Sequence, residues 1–252
     1  MSAELVHADL EFPGLARSGN PAEVPNVAIN MVSTLDGKVS TGGKASPIGS
    51  RVDRLIMSNL RCAVDAVVVG AGTVRAEEMN LTVPDELSEK RKAKGLSEQP
   101  LGVILAGSGE LPLRRRIFRP EARRRNQRLV IVAGQATPGK TLREASNLGA
   151  RVVRTRGSGM PEPREVLELL KDLLNVGTVL LEGGPSVNGS FLSSGVVDEL
   201  FLTLSPKIFL SSRDKLSLAA SHKAELEITN FDIASVHSSP KTGELYLRYA
   251  KR

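Results

Sequence analysis

The sequence has no tryptophan, two tyrosines, six phenylalanines, three histidines and a single cysteine. One cysteine, Cys62, excludes an intrachain disulfide and a cysteine-rich zinc site. His7, His222 and His237 are scattered with no ligand spacing, so no histidine metal site is expected. No apolar run approaches the roughly 20 residues of a membrane-spanning helix. The opening MSAELVHADLEFPG carries acids where a signal peptide has a basic and then an apolar stretch. A soluble, cytoplasmic protein is the expectation.

Scarcity of aromatics also bears on the net charge of +6. Eight arginines (Arg114, Arg115, Arg116, Arg119, Arg123, Arg124, Arg125, Arg128) fall between Leu111 and Val130 against one acid, Glu121. The rest of the chain is near neutral, with 26 basic and 27 acidic side chains. Basic nucleic-acid grooves usually interleave stacking aromatics, so nucleic acid is not an expected partner. The segment reads as a solvated basic loop and helix, or as a contact for a phosphorylated ligand.

What is present is an ordinary globular composition: 252 residues, 40% hydrophobic and 25% charged. Residues 1–24 read as an N-terminal extension and 25–252 as one domain. Asn26 to Val32, Ala66 to Val69, Leu101 to Leu105, Leu129 to Ala133, Arg151 to Arg154, Thr178 to Leu181 and Asp198 to Leu204 read as strands. Several are short, continuous and β-branched, as strands covered on both faces are. Between them, Ser50 with Asp53 and Thr141 with Glu144 read as capping boxes that open helices, and Pro163 begins another. Residues 84–100 read as an exposed charged helix or loop. Alternating runs near Leu226 to Val236 and Glu244 to Tyr249 flank a Pro-Lys-Thr-Gly turn and have hairpin character. This alternation predicts a three-layer α/β fold whose mostly parallel mixed sheet has an antiparallel C-terminal strand.

In such sheets ligands bind where strands end and helices begin. Two glycine-rich turns have that position: VVVGAGTVRAEE, with Thr73 as helix N-cap, and LLEGGPSVNGSFL, with a helix from Pro185. Glycine permits close backbone approach and φ > 0, and helix starts favour phosphate. Neither turn is the GxGxxG dinucleotide fingerprint, and the GxxxxGK[ST] phosphate loop and the GxSxG elbow are absent. Two glycine turns on neighbouring strands suit a long, bipartite ligand such as a dinucleotide. Glu77 and Glu78 are adjacent on a helix, so at most one points into a site. Asp36, in the turn after the first strand, reads equally as a turn residue or a catalyst.

The ordered set NMVSTLDGKVS, SRVDRLIMSNLR, DAVVVGAGTVRAEEMNLTV, LLEGGPSVNGSFLSSGVVDELFLTLSPKIF and GELYLRY resembles the pyrimidine reductase family of riboflavin biosynthesis, which has the dihydrofolate-reductase-like fold. The resemblance runs from about Asn26 to Tyr249. It implies NADPH-dependent reduction of a phosphoribosylated aminopyrimidine, opening the ribosyl ring to a ribityl chain, and a homodimer. It places Val32, Gly72, Thr73, Glu77, Ser108, Gly183, Gly184, Pro185, Ser186 and Val187 at the cofactor, and Asn30, Arg61, Leu81 and Glu182 at the substrate. No catalytic acid or base is identified. The zinc deaminase half that some members carry requires cysteines this sequence does not have. Pro84 stands where many members have a phosphate-binding arginine, Glu77 where they have aspartate, and Ser211-Ser212 where they have two glycines. A subset of the family with these features has been linked with dihydrofolate reduction, which is the alternative activity. A non-catalytic nucleotide-binding module is the reading from another class.

Overall fold

Runs of Val, Leu, Ile and Ala form the centre of the molecule, because a strand covered on both faces needs apolar side chains at every position. The structure is a computed structural model that describes residues 23–40, 44–45, 47–120, 127–210, 219 and 228–252. The strands are β1 (Asn26–Thr34), β2 (Ala66–Gly70), β3 (Leu101–Ala106), β4 (Leu129–Ala133) and β5 (Arg151–Arg154), then β6 (Thr178–Leu181), β7 (Glu199–Ser205), β8 (Phe231–Ser238) and β9 (Leu245–Lys251). They form one sheet in the order β5-β4-β3-β2-β6-β1-β7-β9-β8. Every pairing from β5 to β7 is parallel. The last strand, β9, lies between β7 and β8 and is antiparallel to both, as the hairpin pattern predicted.

Helices cover both faces, giving the three layers expected. On one face α1 (Arg51–Ala63), α2 (Ala71–Ala76) and α4 (Gly139–Asn147) bury Leu60, Val74 and Leu142 against Val67, Val69 and Ile104. On the other, α5 (Pro163–Leu174) and α6 (Pro185–Ser193) bury Leu167, Leu170 and Phe191 against Val68, Val103 and Leu181. No helix among the described residues is long and apolar enough to cross a membrane.

Three local expectations need correction. Thr141 is the third residue of α4, whose N-cap is Pro138, so Thr141 and Glu144 form no capping box. Thr73 likewise lies inside α2, whose N-cap is Gly70. The charged stretch after residue 84 forms α3 (Asp85–Ala93), and it is not wholly exposed, since Arg91 is fully buried. The Arg91 guanidinium donates to the carbonyls of Arg61, Cys62 and Val64, which would otherwise be open at the end of α1. This clamp fixes the last turn of α1, where Arg61 sits. Residues 1–22 of the N-terminal extension, Arg123 to Arg125, Ser211-Ser212 and the start of the run at Leu226 lie outside the described residues.

Candidate active site

The two glycine turns leave neighbouring strands, because β2 pairs directly with β6. They are stitched together: Gly70 N–H donates to Gly183 O at 2.8 Å, and Glu182 N–H donates to Val68 O at 2.9 Å. Their glycines do different jobs. Gly183 has φ +87°, the left-handed region that favours glycine. Gly184 has φ −76°, which any residue tolerates, but a Cβ there would lie 2.9 Å from Thr73 Oγ1. A Cβ on Gly70 would lie equally close to Val187 Cγ2. The close approach of the two turns therefore requires small residues at Gly70 and Gly184. Pro185 opens α6, and no side chain caps that helix start. Pro185 has no N–H, and Val187 and Asn188 donate theirs to Gly184 O, so the first turn leaves the Ser186 N–H and the positive dipole end at the cleft, an arrangement suited to phosphate.

Two chambers meet at these turns. The first, about 350 Å3, is lined by Gly72, Thr73, Glu77, Gly184 and the helix start Pro185 to Val187, seven of the expected cofactor residues. Arg75 also lines it and donates to Glu110 O at 2.8 Å. Ser108 is not in the lining. It lies in the turn after β3 beside Gly109, where a Cβ would be 3.6 Å from the Arg75 guanidinium. Gly183 shapes the turn behind the chamber. Val32 faces the second chamber instead.

That second chamber, about 400 Å3, shares Met31, Ala45, Thr73, Glu77 and Glu182 with the first. Asn30, Asp53 and Arg61 complete its polar wall, and Arg54 and Arg116 add cations. Arg61 and Glu182 form a buried bidentate pair, with Nε to Oε1 and Nη2 to Oε2 both at 2.6 Å. The remaining nitrogen, Nη1, donates to Thr82 O at 3.1 Å. A fork–fork pair of this kind is geometrically fixed, so it forms a rigid, polar wall. Of the four expected substrate residues, Asn30, Arg61 and Glu182 are brought together here. Leu81 is not: it is fully buried in the core behind Asn80.

Asp53 is the residue that sequence reasoning missed. Read as the return half of a capping box, it would bond the N–H of Ser50. Ser50 Oγ does accept from the N–H groups of Val52 and Asp53, as an N-cap should. The return bond, however, is made by Glu244: Ser50 N–H donates to Glu244 Oε1 at 2.8 Å, and Ser50 Oγ–H to Oε2 at 2.5 Å. Asp53 is thereby released from capping. Its carboxyl lines the second chamber and accepts from the Thr203 hydroxyl of β7. Burial, reinforced by the negative charges of Glu244 and Glu182, pushes it up to about 6 against the opposing Thr203 bond and Arg54. No local signal could have found this, because the competing cap comes from residue 244. Tyr246 also donates to Glu244, at 2.6 Å. Burial first, and that bond second, push Tyr246 up to about 12.

Asp36 is bonded within the turn after β1. Its Oδ1 accepts from Thr34 Oγ1 at 2.6 Å and from Phe209 N–H at 3.1 Å, and the Thr34 bond above all holds it below the usual carboxylate range. Glu78 lines the second chamber beside Glu77, so the expectation that at most one of the two reaches a site needs correction: α2 ends at Ala76, and neither residue is held to helical spacing. Glu78 also pairs with Arg115 Nη1 at 2.9 Å and accepts from Arg116 N–H. Glu77 accepts from Ala45 N–H.

A doubly covered, mostly parallel sheet with a two-chambered cleft at the carboxyl ends of β1, β2 and β6 defines an α/β ligand-binding protein of the kind that holds two molecules side by side. The chain belongs to the RibD C-terminal domain family, whose model matches residues 25–217. It is 33% identical over 195 residues to a 2,5-diamino-6-ribosylamino-4(3H)-pyrimidinone 5′-phosphate reductase of Archaeoglobus fulgidus, covering 75% of this chain and 84% of that one. Among solved structures it is similar to a pyrimidine reductase-like protein from Corynebacterium diphtheriae, with TM-score 0.82, 22% identity, and 100% and 99% of the two chains covered. A diaminohydroxyphosphoribosylaminopyrimidine deaminase/5-amino-6-(5-phosphoribosylamino)uracil reductase from Thermotoga maritima gives TM-score 0.63 at 24% identity, covering 91% of this chain and 57% of that one. At these identities the two structures speak to the fold.

Proposed function

We propose that this protein is an NADPH-dependent reductase of a 6-(phosphoribosylamino)pyrimidine. The supporting observation is the pair of chambers that share Thr73, Glu77 and Glu182, so that two ligands would meet at a common wall. The first fits a dinucleotide: small residues at Gly70 and Gly184 let the backbone close in, the Ser186 N–H starts an uncapped helix, and Arg75 in the lining suits a 2′-phosphate. When bound, NADPH supplies a hydride to C1′ of the sugar. In balance, C1′ gains that hydride, the C1′–O4′ bond breaks, and O4′ gains a proton, leaving a ribityl chain. The chain's own residues orient the two partners and exclude water. The Arg61–Glu182 pair holds the shared wall rigid, and Arg116 and Arg54 supply positive charge for the phosphorylated end.

The test is to titrate the protein with NADPH by fluorescence, then assay turnover with the ribosylaminopyrimidine phosphate and with dihydrofolate in parallel. Quenching of NADPH fluorescence and turnover of the pyrimidine are expected. No binding, or turnover of dihydrofolate alone, would remove this reading.

A further inference from the structure

A third cavity, about 720 Å3, is separate from the two chambers. It lies between the arginine segment after β3 and the start of α4. Among the described residues its lining shares Glu78 with the second chamber and nothing with the first. We infer that this cavity binds a small phosphate-bearing anion, and that the bound anion weakens the hold of the second chamber on a phosphorylated substrate. The site stands on its own geometry; the effect on substrate rests on the reductase reading given above.

One wall of the cavity is the open start of α4. No side chain caps this helix, and the N–H groups of Lys140 and Thr141 have no acceptor among the described residues. Free N–H groups and a positive dipole end favour an anion. Thr141 adds an independent observation. It is only 6% exposed and lines the cavity, and its hydroxyl has no partner among the described residues, because it is the third residue of α4 rather than its cap. A buried hydroxyl of this kind calls for a partner from outside the chain.

Cations surround that wall. Arg119 donates to Arg114 O from Nε at 3.2 Å and from Nη2 at 3.1 Å, which ties the two together. The Arg114 guanidinium and the Lys140 ammonium have no partner among the described residues. Glu110 and Glu144 also line the cavity, but both are exposed, so water and salt screen them. Glu78 is already paired with Arg115. Leu111, Pro112 and Leu113 supply the apolar part, and no aromatic side chain is present among the described lining residues. Charge rather than a stacked ring is therefore what the cavity recognises, and two arginines and a lysine beside a helix start are phosphate chemistry.

Arg115 links the cavity to the chambers. Its Nη1 pairs with Glu78 Oε1 at 2.9 Å and its Nη2 donates to Arg75 O, so one guanidinium touches a residue of each chamber. Glu78 Oε2 accepts from Arg116 N–H at 3.0 Å. The side chains of the Arg115–Glu78 pair are 33% and 56% exposed, and ion pairs this exposed are weak. A phosphate in the cavity offers Arg115 a stronger acceptor. Once Arg115 turns to it, the Glu78 carboxylate is left unpaired in the second chamber with Arg116, where it repels the phosphorylated end of the substrate. The anion thus acts on KM and leaves the hydride step alone.

Inorganic pyrophosphate is the probe, titrated calorimetrically into the full chain at about 50 mM salt, where surface charge is little screened. A Kd below about 1 mM is expected, unchanged in protein saturated with NADPH. Arg114→Ala combined with Lys140→Ala should weaken binding at least about tenfold, and Thr141→Val at least about threefold. Arg114 and Lys140 are exposed, so the double variant keeps the fold even if Thr141→Val does not. In turnover assays pyrophosphate should raise KM for the ribosylaminopyrimidine phosphate at least about threefold in the wild type, with kcat unchanged, and should not do so in the double variant. No binding, displacement by NADPH, or unchanged binding in the double variant would overturn the site. Binding without a rise in KM, or a rise that persists in the double variant because pyrophosphate competes directly with substrate, would overturn the coupling. If the wild type reduces no pyrimidine, the reductase reading fails, while pyrophosphate binding that the double variant loses still supports the site.

Discussion

A half-buried carboxyl beside Glu182 and Glu244 is a destabilising group at neutral pH. Asp53 is raised from an ordinary 3.8 to about 6, so the folded state binds its proton more tightly than the unfolded chain does. Stability from this group is complete below pH 4 and is lost as pH rises through about 6. The loss amounts to at most about 3 kcal/mol. Asp53→Asn removes the titration. Its Tm should exceed that of the wild type by several degrees near pH 7 and match it near pH 4. Thermal melts at the two pH values check this. Identical pH dependence in both proteins would mean that Asp53 is not held as described. The neighbouring pair behaves differently. Arg61 and Glu182 pair within hydrogen-bond distance, so each buried charge faces an opposite one.

At the scale of elements, the two strand–glycine–helix units are the working parts. In Gly184→Val the new side chain would be driven against Thr73 Oγ1, forcing the turns apart. NADPH affinity should fall at least about tenfold, or 1.4 kcal/mol, in protein that remains folded at room temperature. Fluorescence titration of the variant measures it, and unchanged affinity would detach this turn from the cofactor site. Both units were legible in the sequence, because continuous β-branched runs and glycines carry local signals. Their contact was not, since Gly70 and Gly183 are joined only through strand order. Helix starts were read less well. Thr141 has a capping side chain, yet Pro138 starts α4, as backbone geometry outweighed side-chain propensity there. The charged face of α3 hid Arg91, whose polar head is buried because three carbonyls at the end of α1 receive it. Asp53 was visible as a residue but assigned the wrong partner, because Glu244 reaches Ser50 from the far end of the chain.

For the molecule as a whole, the cleft is a product of the sheet order. Placing β6 between β2 and β1 brings α2, α6 and α1 to the same edge and sets the glycine chamber against the Asp53 chamber. The central claim is that two ligands react across the wall between them. The most direct measurement uses NADPH deuterated at the transferring position of the nicotinamide, mixed with the protein and the ribosylaminopyrimidine phosphate, followed by mass spectrometry of the product. The account predicts a ribityl product carrying one deuterium at C1′, formed in step with NADPH oxidation. NADPH that binds but is never oxidised, or a product without the label, would contradict it.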